Sequence, residues 1–79
     1  MLFRSDIVKQ VHKRMEDARI EIRNIRRDAA DHLKKEERDG LLGTDEGRRE
    51  HDAVQKLTDR FIGEVDRLGA HKEQEVLEV

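Results

Sequence analysis

The chain has 79 residues, enough for one small domain, and 46% of them are charged while 34% are hydrophobic. Two phenylalanines with no Trp or Tyr exclude a rounded core and suit long helices with narrow apolar stripes, while the absence of cysteine excludes disulfide bonds and thiolate metal sites. The net charge of −2 excludes a generally basic nucleic-acid binder, so such binding needs a local patch.

The first predicted element is one amphipathic helix from about Asp6 to about Asp39. Its apolar residues recur at steps of three and four: Val8, Val11, Met15, Ala18, Ile22, Ile25, Ala29 and Leu33. This regular spacing argues against disorder, which is the other interpretation of a highly charged chain. At 1.5 Å per residue, the helix is expected to be roughly 50 Å long.

The only clear break falls at residues 40–43. Gly40 suits the left-handed position that closes a helix, and either Gly43 or Thr44 could cap the next one. The second helix is predicted from about residue 44 to about 78. Gly63 and Gly69 lie inside this helix, and each costs roughly 1 kcal/mol relative to Ala unless close backbone packing requires it.

The second helix has a wide apolar stripe formed by Val54, Leu57, Phe61, Ile62, Val65, Leu68, Val76 and Leu77. Two long helices with a four-residue break predict an all-α, antiparallel two-helix hairpin. Stripes this wide would leave apolar surface in water. We therefore expect either that a third helix is missing from the hairpin or that two chains associate through the stripes.

The arginines of the first helix are the candidate functional residues. Four of them share one side of the helix, namely Arg19, Arg23, Arg26 and Arg27. Arg19 has Glu16 three residues before it. Arg27 has Asp31 four residues after it. Arg23 and Arg26 have no acidic residue at three or four positions in either direction, so an external anion is expected to neutralise them.

The charge is unevenly distributed along the chain. Between Lys13 and Arg27, six basic and three acidic side chains give a local charge of +3, whereas three basic and six acidic side chains after Thr58 give −3. Guanidinium groups match phosphate oxygens, so an RNA backbone is a suitable target. The alternative is a solvated helix face without a ligand, since charge runs are common on exposed helices.

Other chemistry is not indicated. The four histidines lie about 20 residues apart without a metal-ligand spacing, and no phosphate-binding glycine loop or nucleophile triad is present. The sequence predicts neither an enzyme nor a cofactor or metal. No apolar run approaches the roughly 20 residues of a membrane span, and no signal peptide is evident, so the expected compartment is the cytoplasm.

Two stretches closely resemble ribosome recycling factors. Residues 22–29, IRNIRRDA, are similar to the family stretch VRNIRRDA, and residues 52–59, DAVQKLTD, are similar to DEVQKLTD. Residues 39–42 and the pair Arg48-Arg49 also fall at family spacing, and the acidic, apolar tail from Glu75 resembles the family's ending. The resemblance extends from about Asp6 to Val79, but it covers less than half of a typical family member.

This resemblance implies that residues 6–79 are a partial bundle domain, with two of the three helices of a three-helix bundle. The first helix and a small β-rich second domain would be absent. Residues 1–5 do not resemble the family and are predicted to be an assembly scar or an irregular start. Gly43, Gly47, Gly63 and Gly69 replace larger residues of the family, which lowers the expected local helix stability.

The resemblance also implies a function in translation. Family members bind the post-termination ribosome and, with elongation factor G, promote its splitting into subunits. The expected partners are therefore large-subunit ribosomal RNA and, for the full-length protein, elongation factor G. Arg23 and Arg26, followed by Arg19 and Arg27, are predicted to contact the RNA. The alternative function is a stand-alone helical module that dimerises and has no role at the ribosome.

Overall fold

The structure, a computed structural model, describes residues 4–78, and at Glu78 it describes the backbone alone. Helix α1 spans Arg4–Arg38 and helix α2 spans Thr44–Glu78. They pack antiparallel, which gives a rod with extents of 58 × 17 × 9 Å. The all-α antiparallel hairpin predicted from the sequence is confirmed.

Helix α1 begins at Arg4, two residues before the start near Asp6 that the sequence predicted. Because neither Pro nor Gly precedes Asp6, nothing in this stretch breaks the helix, and the Asp6 carboxylate lies in the first turn, where the helix dipole favours it. The predicted irregular start therefore does not extend to Arg4 and Ser5. Its remaining part, residues 1–3, lies outside the described residues.

The turn between the helices depends on Gly40, whose φ of 77° lies in the left-handed region. The Leu41 amide donates to the Glu36 carbonyl at 2.9 Å and the Gly40 amide donates to the Glu37 carbonyl at 3.2 Å. These two bonds form a Schellman cap, which satisfies carbonyl groups at the end of α1. The next cap is Gly43, whose carbonyl accepts the first hydrogen bond of α2.

Two glycines of α2 let the helices approach each other closely. A Cβ atom at Gly69 would overlap the Met15 thioether of α1, and a Cβ atom at Gly47 would overlap the Glu37 side chain. Both glycines are buried. Close packing therefore accounts for Gly69, whereas Gly63 is exposed and has open space where its Cβ would lie.

This difference gives a matched pair of substitutions. Gly63→Ala is expected to raise the free energy of unfolding by roughly 0.5–1 kcal/mol, because alanine favours the helix and meets no neighbour. Gly69→Ala is expected to lower it by about 1 kcal/mol, because Met15 must move out of its packed position. Urea unfolding followed by circular dichroism measures both. An equal gain at the two positions would contradict the packing described.

The hairpin is only one layer thick, and among the described residues no hydrophobic side chain is buried. The one buried polar side chain in this part of the chain is Thr58, whose hydroxyl donates to the Val54 carbonyl at 2.7 Å. The apolar residues between the helices are partly buried or exposed. Packing within the hairpin alone thus leaves much of its apolar surface in water.

Candidate nucleic-acid interface

The arginine face consists of the four arginines predicted to bind RNA, Arg19, Arg23, Arg26 and Arg27. All four lie in the central turns of α1, within the stretch of net charge +3. They share one side of α1, but their electrostatic environments differ, so they are not equivalent as anion ligands.

Arg19 is neutralised by the hairpin itself. Its Nε donates to Asp66 Oδ1 on α2 at 3.0 Å, and its Nη1 donates to Glu16 Oε2 at 3.0 Å. Its side chain is only 21% exposed. The hydrogen bond to Asp66 is the main cause that raises the pKa of Arg19 above its ordinary value. Arg19 therefore joins the two helices, and because two carboxylates already neutralise it, it attracts an external anion only weakly.

Arg23 is freer, with half of its side chain exposed. Its nearest carboxylate is Glu16, whose Oε1 lies 3.9 Å from Arg23 Nη1, at the outer limit of an ion pair. Glu16 also forms the shorter contact with Arg19, so it is shared. A search for acidic residues three or four positions from Arg23 misses this contact, because Glu16 lies two helical turns before it.

Arg26 and Arg27 are held by neutral amides. Arg26 Nη1 donates to Gln55 Oε1 of α2 at 3.4 Å, and Arg27 Nη2 donates to Asn24 Oδ1 at 2.6 Å. Asp31 was the partner that the sequence suggested for Arg27, so this pairing is corrected. No carboxylate within the described residues forms an ion pair with either guanidinium, so the hairpin itself neutralises neither of them.

A second feature is the apolar groove, which runs between the helices. It is lined by Ile22, Ile25, Arg26 and Ala29 of α1 with Val54, Leu57, Thr58 and Phe61 of α2, and it has a volume of about 220 Å³. Ile25 is 67% exposed and Phe61 is 50% exposed. At 100° per residue, Ile25 lies about 160° around α1 from both Arg23 and Arg27. The groove and these two arginines therefore point in opposite directions.

The described residues contain neither a candidate metal cluster nor a membrane-spanning helix. No group of three or more His, Cys, Asp or Glu residues that could hold a metal ion occurs among residues 4–78. Three histidines each contact a single glutamate, for example His12 with Glu73 at 3.1 Å. Neither described helix is long and apolar enough to cross a membrane.

Comparisons with known proteins point to one family. The family described as "Ribosome recycling factor" matches residues 3–77. Curated relatives named ribosome-recycling factor include those of Symbiobacterium thermophilum, at 54% identity, Carboxydothermus hydrogenoformans, at 51%, and Rhizobium leguminosarum, at 47%. Each match covers 96% of this chain, which spans about two fifths (41%) of the length of these curated relatives. No solved structure gives a significant match.

Proposed function

This chain belongs to the ribosome recycling factor family, and we propose that it functions as part of a factor that binds the post-termination ribosome and promotes subunit splitting together with elongation factor G. The arginine face binds phosphates of large-subunit ribosomal RNA. The protein itself performs no covalent chemistry, because its part in the process is binding.

The observation that carries the RNA assignment is the set of guanidinium groups without a close carboxylate. Arg26 and Arg27 hydrogen-bond only to neutral amides, and the contact of Arg23 with Glu16 is long. Exposed cations that the protein does not neutralise gain most from phosphate contacts, because each contact releases counterions from the RNA. Arg23, Arg26 and Arg27 are therefore the main ligands, and Arg19 supports them from the hairpin.

The apolar groove supports the interpretation as two helices of a three-helix bundle. Its residues are exposed along the side of the rod that faces away from Arg23 and Arg27. A third helix in the groove would bury this surface and leave Arg23 and Arg27 free, whereas Arg26 itself lines the groove. RNA binding through Arg23 and Arg27 and bundle formation would then use separate sides of the hairpin.

A chimera tests the proposed function. This chain replaces the stretch that it matches in the Symbiobacterium thermophilum relative. The chimera is expected to split post-termination ribosomes with elongation factor G and GTP, whereas the 79-residue chain alone binds large subunits without splitting ribosomes. Light scattering follows splitting, and co-sedimentation follows binding. A well-folded chimera that neither binds nor splits ribosomes would overturn the proposal.

A second candidate function is that of a stand-alone dimerisation module, and the exposed groove is the observation that favours it. Two hairpins that paired through the groove would form a four-helix bundle. Sedimentation over a range of protein concentrations distinguishes the two functions. A tight dimer that sediments in the same way with and without large-subunit RNA would favour the module. A weakly folded monomer that binds the RNA favours the recycling factor.

A further inference from the structure

The two amides that hold the arginine face differ in kind from the partners of Arg19. Asn24 and Gln55, here called the amide pair, accept hydrogen bonds from Arg27 and Arg26 through neutral oxygens. Arg19 is instead bound by two carboxylates. A neutral acceptor fixes the direction of a guanidinium group without cancelling its charge.

The orientation of Gln55 is itself fixed by a neighbour. Its Nε2 donates to Asp59 Oδ1 one turn further along α2, at 2.9 Å. This bond directs the amide nitrogen toward Asp59, so the amide oxygen is left to accept from Arg26. The Asp59 carboxylate thus contacts the Gln55 amide, and in the described part of the chain it forms no ion pair with Arg26. Asn24 lies one turn before Arg27 on α1, so the contact between them does not depend on α2.

From this geometry we infer that Asn24 and Gln55 are positioning residues, which hold Arg27 and Arg26 for phosphate contacts while keeping their charge available. The inference rests on the proposed RNA-binding function and adds two residues to it. Each guanidinium has five N–H donors, so the single bond to an amide leaves donors for a phosphate. With a carboxylate in the same place, a phosphate would have to compete with an internal ion pair.

Replacement of each amide by its isosteric acid tests this inference. Asn24→Asp and Gln55→Glu keep the side-chain shape but place a carboxylate against the guanidinium. Each variant is expected to bind large ribosomal subunits about 5-fold more weakly near 0.1 M salt. The slope of log affinity against log salt is expected to be smaller in magnitude by about one, because one fewer phosphate contact releases counterions. Asn24→Ala and Gln55→Ala are expected to weaken binding by about 2-fold with the slope unchanged, since the charge remains but its position is lost.

Gln10→Glu is the matched control. Gln10 is exposed on α1, and it lies roughly 20 Å from Asn24 along the helix axis, beyond the screening length of about 10 Å at this salt. It adds the same negative charge, and it is expected to leave affinity and slope unchanged. Circular dichroism reports whether the helices are retained. If Gln55→Glu unfolds the hairpin, Asn24→Asp alone tests the inference, because Asn24 and Arg27 both lie on α1.

The acid substitutions are repeated in the Arg26→Ala/Arg27→Ala background to separate the outcomes. The inference expects them to have no further effect there. If they weaken binding as much in that background as in the parent, or if Gln10→Glu weakens it equally, the effect is general charge and the inference is overturned. If Arg26→Ala/Arg27→Ala binds weakly but the acid variants bind like the parent, only the role of the amide pair fails. If Arg26→Ala/Arg27→Ala binds like the parent, the proposed arginine face itself fails.

Discussion

The double substitution Arg23→Ala/Arg26→Ala is expected to weaken binding of the chimera to large ribosomal subunits about 30-fold near 0.1 M salt, and to lower the salt slope by about two. In the proposed interface these two groups make two phosphate contacts, each of which contributes roughly one unit of slope. Ribosome splitting with elongation factor G is expected to fall in parallel at limiting protein, because the loss is in binding. Co-sedimentation at several salt concentrations measures the affinity and the slope.

A second double variant, Arg38→Ala/Arg60→Ala, is the control for this experiment. Both arginines are exposed and lie outside the arginine face, so the variant loses the same charge elsewhere on the rod. It is expected to bind within about 2-fold of the parent, since these groups make no phosphate contact. If the two double variants lose the same affinity, the binding depends on net charge and the arginine face is wrong.

Phe61→Ala is expected to cost far more in the chimera than in the isolated chain. In the hairpin alone, Phe61 is 50% exposed, so its truncation is expected to lower the free energy of unfolding by about 1–1.5 kcal/mol. With a third helix over the apolar groove, the ring is buried and the same truncation is expected to cost about 3–5 kcal/mol. Urea unfolding followed by circular dichroism gives both values.

Ile20→Ala is the matched control, because Ile20 is similarly exposed, at 46%, and does not line the groove. Its cost is expected to stay near 1 kcal/mol in both proteins. An equal cost of Phe61→Ala in the chimera and in the isolated chain would mean that the groove stays open in the longer protein. A cost in the isolated chain that rises with protein concentration would instead support self-association through the groove.

The two helices and the break between them could be predicted, because the sequence signals for helix and break are both local. Apolar residues at steps of three and four indicate helices, and Gly40 provides the left-handed residue that closes the first one. The family resemblance rests on two eight-residue stretches, and the family match over residues 3–77 confirms it. The start of α1 was less predictable, since the residues before Asp6 contain no helix breaker that would mark it.

The partners of the arginines could be predicted only in part. Glu16 was found from its spacing to Arg19, because residues three apart share a helix face. Asp66 and Gln55 could not be found in this way, because they reach the arginines from the other helix, and their alignment depends on the turn and on the close approach at Gly69. The sequence also gave no reason to prefer Asn24 over Asp31 as the partner of Arg27.

The most direct test of the central claim, that the arginine face meets ribosomal RNA, is hydroxyl-radical probing from iron–EDTA on single cysteines. The chain contains no cysteine, so in a chimera whose remaining part is also kept free of cysteine, Ile20→Cys beside the arginine face and Leu57→Cys in the groove each carry one probe. We expect strong cleavage of large-subunit RNA from position 20 and weak cleavage from position 57. Strong cleavage from position 57 with none from position 20 would contradict the account.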